Sequence, residues 1–141
     1  MNYISSKKMA DFEIGIFRSA ELKEFKCPKV SKKIGKFLKN WNSYGGKYTK
    51  YENQKSHEIL ELDSYVHITS PIRRLVDLLN MIVLQNSLGL MDYSEKSKSF
   101  YTNWLSKIDY INETMKAIRK VQNNCELLRI CVEDNLEKKK I

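Results

Sequence analysis

Glycine, proline, cysteine and histidine are all scarce in this chain, and each scarcity excludes something. The five glycines form no phosphate-cradling loop, and no Gly-x-Ser-x-Gly elbow or His-Glu-x-x-His metal helix occurs. Three cysteines, Cys27, Cys125 and Cys131, make an odd count with no Cys-x-x-Cys pair. That argues against structural zinc and for a cytoplasmic or other reducing compartment. His57 and His67 lack the spacing of a metal pair and read as strand residues with satisfied hydrogen bonds. No apolar run approaches the roughly 18–20 residues that span a bilayer, so no membrane partner is expected. Met1 to Ala10 is polar and lysine-containing, unlike a signal peptide. Repeats and low-complexity tracts are absent too, which leaves a single domain over residues 1–141 with a modest core.

What the chain has in excess is positive charge. Twenty-five Lys and Arg against 17 Asp and Glu give a net charge of +8. A balance of this size favours polyanions through steering and counterion release, although lysine-rich surfaces are also common in proteins that bind none. The basic residues concentrate between Lys23 and Lys50 and at Lys138–Lys140. In the first stretch Ile34, Phe37, Leu38 and Trp41 read as the core face of a helix whose lysines meet water. The terminal lysines read as a solvated end that suits a helix dipole.

Periodicity divides the chain into short strands followed by helices, an α+β fold that is predominantly helical. Phe12, Ile14 and Ile16 alternate as in a strand. Pro28 precedes a helical pattern from about Val30 to Trp41, and Gly45-Gly46 marks a turn. Glu58 to Leu62 and Tyr65 to Thr69 read as extended. From Pro71 to about Leu88, Ile72, Val76, Leu79 and Val83 form an apolar stripe, widened by Leu75, Leu78 and Ile82, and Gly89 ends the helix. Beyond Gly89 there is neither glycine nor proline. Trp104, Ile108, Ile111, Met115, Ile118, Gln122, Cys125 and Val132 predict one long helix, or two joined by a kink, packed on the preceding one.

The most informative segment is Tyr65-Val66-His67-Ile68-Thr69-Ser70-Pro71-Ile72-Arg73-Arg74. Ser70 is a suitable N-cap and Pro71 a suitable first helical residue. Two arginines in that first turn oppose the macrodipole unless an anion rests on the free N–H groups. Asp77, three residues after Arg74 and four after Arg73, offers a plain ion pair instead. Spacing alone leaves both readings open.

The string Tyr-x-His-x-Thr-Ser-Pro-Ile-Arg-Arg-x-x-Asp-Leu, from Tyr65 to Leu78, resembles the signature of the RNB-domain exoribonucleases, the family of RNase II and RNase R. Tyr51, His57, Leu60 and Leu62 match the looser pattern before it. Ile14 to Arg18 is similar to the family's short strand ending in arginine, and Ile111 to Leu128 to its late helix. The resemblance implies magnesium-dependent removal of nucleotides, as 5′-monophosphates, from the 3′ end of single-stranded RNA. It makes Arg73 the catalytic contact to the scissile phosphate and Arg74 a supporting cation. Tyr65, His67, Thr69 and Ser70 present the pair and are candidate RNA or phosphate contacts.

The departures bear on chemistry. The family's magnesium ligands are a tight run of aspartates, whereas Asp11, Asp63, Asp77, Asp92, Asp109 and Asp134 are scattered. No metal ligand is therefore assigned. Leu75 stands where the family has tyrosine, and Asn80-Met81-Ile82 where it has Val-His-Arg. The chain is expected to be the C-terminal part of an RNB catalytic domain. Its activity would require a separate aspartate-bearing N-terminal half, or it is an inactive remnant that binds RNA or protein. An interrupted domain should also be weakly stable or self-associating through the apolar face left exposed.

Overall fold

The computed structural model describes residues 1–21, 35, 38 and 46–133. Among them are four α-helices, α1 (Asn2–Asp11), α2 (Leu75–Ser87), α3 (Glu95–Leu105) and α4 (Ile108–Glu133), and two strands, β1 (Ile16–Ser19) and β2 (Lys47–Lys50). This is the expected α+β, mostly helical architecture. The helix expected from Val30 to Trp41 lies outside the described residues except for Gly35 and Leu38, both helical, as do Gly45 of the expected turn and the terminal lysines.

β1 and β2 pair antiparallel with Ile16 opposite Lys50 and Arg18 opposite Tyr48. Side chains alternate across a strand, so Ile16 and Tyr48 share one face while Phe17 points to the other. Each face carries its own core. Ile16 and Tyr48 pack with Val76 and Leu79 of α2 and Ile108 and Ile111 of α4. Phe17 packs with Met9 of α1, Val66 and Val83. α2 contributes to both cores, through Val76 and Leu79 to the one it shares with α4 and through Val83 to the one it shares with α1.

Two asparagines complete this ribbon. Asn80 of α2 is fully buried; its Oδ1 accepts from Ile16 N at 2.8 Å, and its Nδ2 donates to Ile16 O at 2.8 Å and His67 O at 3.0 Å. Asn112 of α4 does the same for Tyr48, accepting from its N at 2.8 Å and donating to its O at 2.9 Å. Both side chains satisfy strand-edge groups that burial would otherwise leave unpaired. Gly15 (φ +94°) permits the approach, since a Cβ there would lie 2.1 Å from Met9 Cε and 3.3 Å from Asn80 Oδ1.

Several sequence expectations shift. The strand expected at Phe12–Ile16 begins only at Ile16, because α1 runs to Asp11 and the chain reverses through Glu13 and Gly15, both at positive φ. Glu58–Leu60 is a 3₁₀ turn rather than a strand, closed by Glu61 in the left-handed region. Val66 forms a single antiparallel bridge with Phe17. Gly89 ends α2 as expected, with its N–H on Asn86 O and that of Leu90 on Gln85 O, a Schellman closure. The C-terminal pattern is two helices, and its stripe divides. Ile108 and Ile111 enter the core, whereas Ile118 and Val132 face solvent.

Candidate functional site

The site is built where Tyr65–Arg74 crosses the end of β1. Arg18 N donates to Tyr65 O at 2.8 Å, which places His67 beside the ribbon. Tyr48 and His67 then meet, hydroxyl to Nδ1 at 2.6 Å. Four rings touch in series, His57 on Tyr65, Tyr65 on His67 and His67 on Tyr48, with centroids 5.1, 5.5 and 5.7 Å apart, all edge-on. Asn2 Nδ2 holds the second ring of the series by donating to Tyr65 Oη at 2.8 Å.

The helix does not start at Pro71. Arg74 is its N-cap, extended at φ −131°, ψ 117°, and Leu75 is the first helical residue. Ser70 to Arg74 forms a separate turn, with Arg73 N and Arg74 N both donating to Ser70 O, at 3.3 and 3.1 Å. The cause is Asp77, which is fully buried. Its Oδ1 accepts from Ser70 N at 2.7 Å and from an Arg74 Nη2 at 3.1 Å, while its Oδ2 lies 2.9 Å from Arg74 Nε without hydrogen-bond alignment. A carboxylate in the first turn of α2 also suits the positive end of its dipole. Ser70 therefore gives its amide to Asp77 rather than capping the helix, and Pro71 heads the turn, where its missing N–H costs nothing.

The two arginines are consequently unequal. Arg74 is held in the ion pair that spacing allowed. Arg73 is exposed, and among the described residues its only polar side-chain contact is a long one, Nη2 to Ser70 Oγ at 3.4 Å. Thr69 is exposed beside it. A third arginine, which the motif alone does not single out, joins them. Arg18 lies half-buried over the Tyr48 ring at 5.4 Å, against Gly46, where a Cβ would come 2.4 Å from its Nη2. Among the described residues no carboxylate pairs with Arg18 or Arg73.

These charges are visible in the titrating groups. Burial, then Arg74, Arg18, His57 and Arg73, push the His67 imidazole down to about 3, so it is neutral at physiological pH. Burial and Arg18 lower His57 as well; its Nδ1 is buried and has no partner among the described residues, unlike the satisfied histidine expected. Burial raises Tyr48, opposed by Arg18 and Arg74, so the phenol keeps its proton. With the phenol as donor, His67 accepts at Nδ1 and carries its own proton at Nε2.

Residues 6–89, more than half of the chain, match the RNB domain family. The chain belongs to that family. No curated protein and no solved structure matches it. The matched span ends at Gly89, the closing residue of α2, and takes in every residue of the site but Asn2; the likeness seen between Ile111 and Leu128 falls beyond it. Among the described residues of this RNB domain, no three His, Cys, Asp or Glu side chains lie together where they could hold a metal ion. Asp77 is committed to Arg74 and Ser70, and Asp63 to Lys7. The magnesium that the family implies does not fit these residues. No described helix is long and apolar enough to cross a membrane.

Proposed function

We propose that this chain supplies the phosphate-gripping face of an RNB-type 3′–5′ exoribonuclease. Its ligand is the backbone of single-stranded RNA, and Arg73 is the residue that meets the scissile phosphate. The observation that carries this reading is the asymmetry of the arginine pair. Arg74 is neutralised and immobilised by buried Asp77, which presents Arg73 on a short turn with no carboxylate on its guanidinium among the described residues. Arg18 adds a second charge that no described carboxylate pairs, so the ring-lined surface is cationic and suited to polyanion contact. His67 contributes a neutral Nε2–H donor and, with Tyr65, edges that nucleotides can contact.

In this scheme Arg73 and Arg18 bind and orient the backbone, Arg74 fixes the Arg73 turn, and the Tyr48–His67 pair holds a neutral donor beside them. Hydrolysis to 5′-monophosphates belongs to an aspartate-bearing half outside these residues. The lack of a carboxylate cluster among the described residues equally supports an inactive RNA-binding remnant. Mixing the chain with an aspartate-bearing RNB half and following 5′-labelled RNA separates the two: restored shortening supports the enzyme reading, and binding without it the remnant.

A further inference from the structure

The apolar stripe of α4 runs on past the part that docks on the core. Ile108 and Ile111 at its start are buried, as is Ile130 on a different face. Ile118 lies one heptad after Ile111, and Val121, Cys125, Leu128 and Val132 continue from it by alternating three- and four-residue steps. Those residues are open to solvent: Ile118 is 50% exposed, Val121 61%, Leu128 65% and Val132 76%, with Cys125 exposed between them. An apolar stripe of this kind is normally covered along its whole length.

We infer that this outer stripe is a coiled-coil seam that pairs with the same stripe of a second copy of the chain. The period identifies the kind of occupant. A strict alternation of three and four residues from Ile118 to Val132 is the spacing of a narrow seam that one other helix can fill. The composition fits a two-stranded pairing, with β-branched Ile118 and Val132 at one seam position and Leu128 at the other.

The flanks point to self-pairing. Ala117, Gln122 and Asn124 border the seam without charge. The one charged border residue, Arg129, is held within its own helix by Glu126, at 2.6 Å, and by Glu133. Two identical seams therefore meet without like-charge repulsion, and nothing along them demands a partner of opposite charge. Two such seams bury on the order of 1,000 Å² in all, the low end for a specific interface, which predicts a reversible dimer rather than an obligate one.

Sedimentation velocity on the full chain, in reducing buffer and across a concentration series reaching tens of micromolar, tests this. The wild type should shift from monomer to dimer as concentration rises. A Val121→Glu/Leu128→Glu double variant should stay monomeric with its helical circular dichroism unchanged, because both sites are exposed. Lys120→Glu, off the seam, should leave the dimer intact. A wild type that stays monomeric, an oligomer that survives the double variant, or equal dissociation by Lys120→Glu would each overturn the inference.

Discussion

Arg74 and Asp77 form an ion pair at 2.9 Å in which the carboxylate has no exposure to solvent, and this pair sets the geometry of everything on the Ser70–Arg73 turn. One acidic side chain holds the Ser70 amide and the Arg74 guanidinium together, and Arg73 is what remains free. Of the two readings the sequence allowed, the ion pair belongs to Arg74, which leaves Arg73 for the proposed anion site.

Removing Asp77 should be costly. Asp77→Ala strips a half-buried guanidinium and a backbone N–H of their acceptor, and losing one partner of such a pair costs about 3 kcal/mol. Urea denaturation should show a lowered midpoint. An unchanged midpoint would mean the pair is dispensable and the turn is held by something else.

The two strand-clasping asparagines should matter more than their polar character suggests. Asn80→Ala leaves Ile16 N, Ile16 O and His67 O without their partner, at a cost of about 2 kcal/mol or more. Asn112→Ala should cost less, because that site is only partly buried. Thermal melts of the two variants test the order as well as the sign.

Stability should fall as the medium is acidified through the ordinary histidine range. The His67 imidazole titrates near 3 in the folded chain, against an ordinary value of 6.5. Between those values the unfolded chain binds a proton that the folded chain does not, so unfolding gains as pH drops from 6.5 toward 3. His57, lowered in the same direction, adds to the slope. Melting temperature should therefore decline over this window, and His67→Gln should flatten the decline relative to wild type. Parallel pH profiles would contradict the assignment.

The sequence made the site legible where the chemistry is local. The Ser-Pro-Ile-Arg-Arg string, its resemblance and the inward-facing Val76, Leu79 and Val83 located the arginines and most of α2, whereas Ile72, expected in the same stripe, is fully exposed on the turn before the helix. What escaped depends on contacts distant in the chain. Asp77 could be seen as a partner for either arginine, but its hydrogen bond from Ser70 N accompanies a helix start at Leu75 rather than Pro71, and spacing alone cannot show that. Asn80 looked like a mere departure from the family pattern. Its role rests on Ile16, and the available signal was a polar residue inside a wide apolar stripe. Helix α1 buries only Ser5, Ser6 and Met9, too faint a pattern to announce a helix. Arg18 and Tyr48 become site residues only through the register of β1 with β2.

The central claim is that Arg73 is the uncommitted cation that grips RNA, on a chain whose described residues supply no metal site. The most direct measurement is binding of 5′-labelled single-stranded RNA to wild type and Arg73→Ala over a salt series with magnesium, each sample also run on a denaturing gel. The account predicts intact RNA, weaker binding by the variant, and a log–log salt slope shallower by about 0.7, one phosphate contact on a single strand. Equal affinity and slope for the two proteins, or a shortening ladder produced by the chain alone, would contradict it.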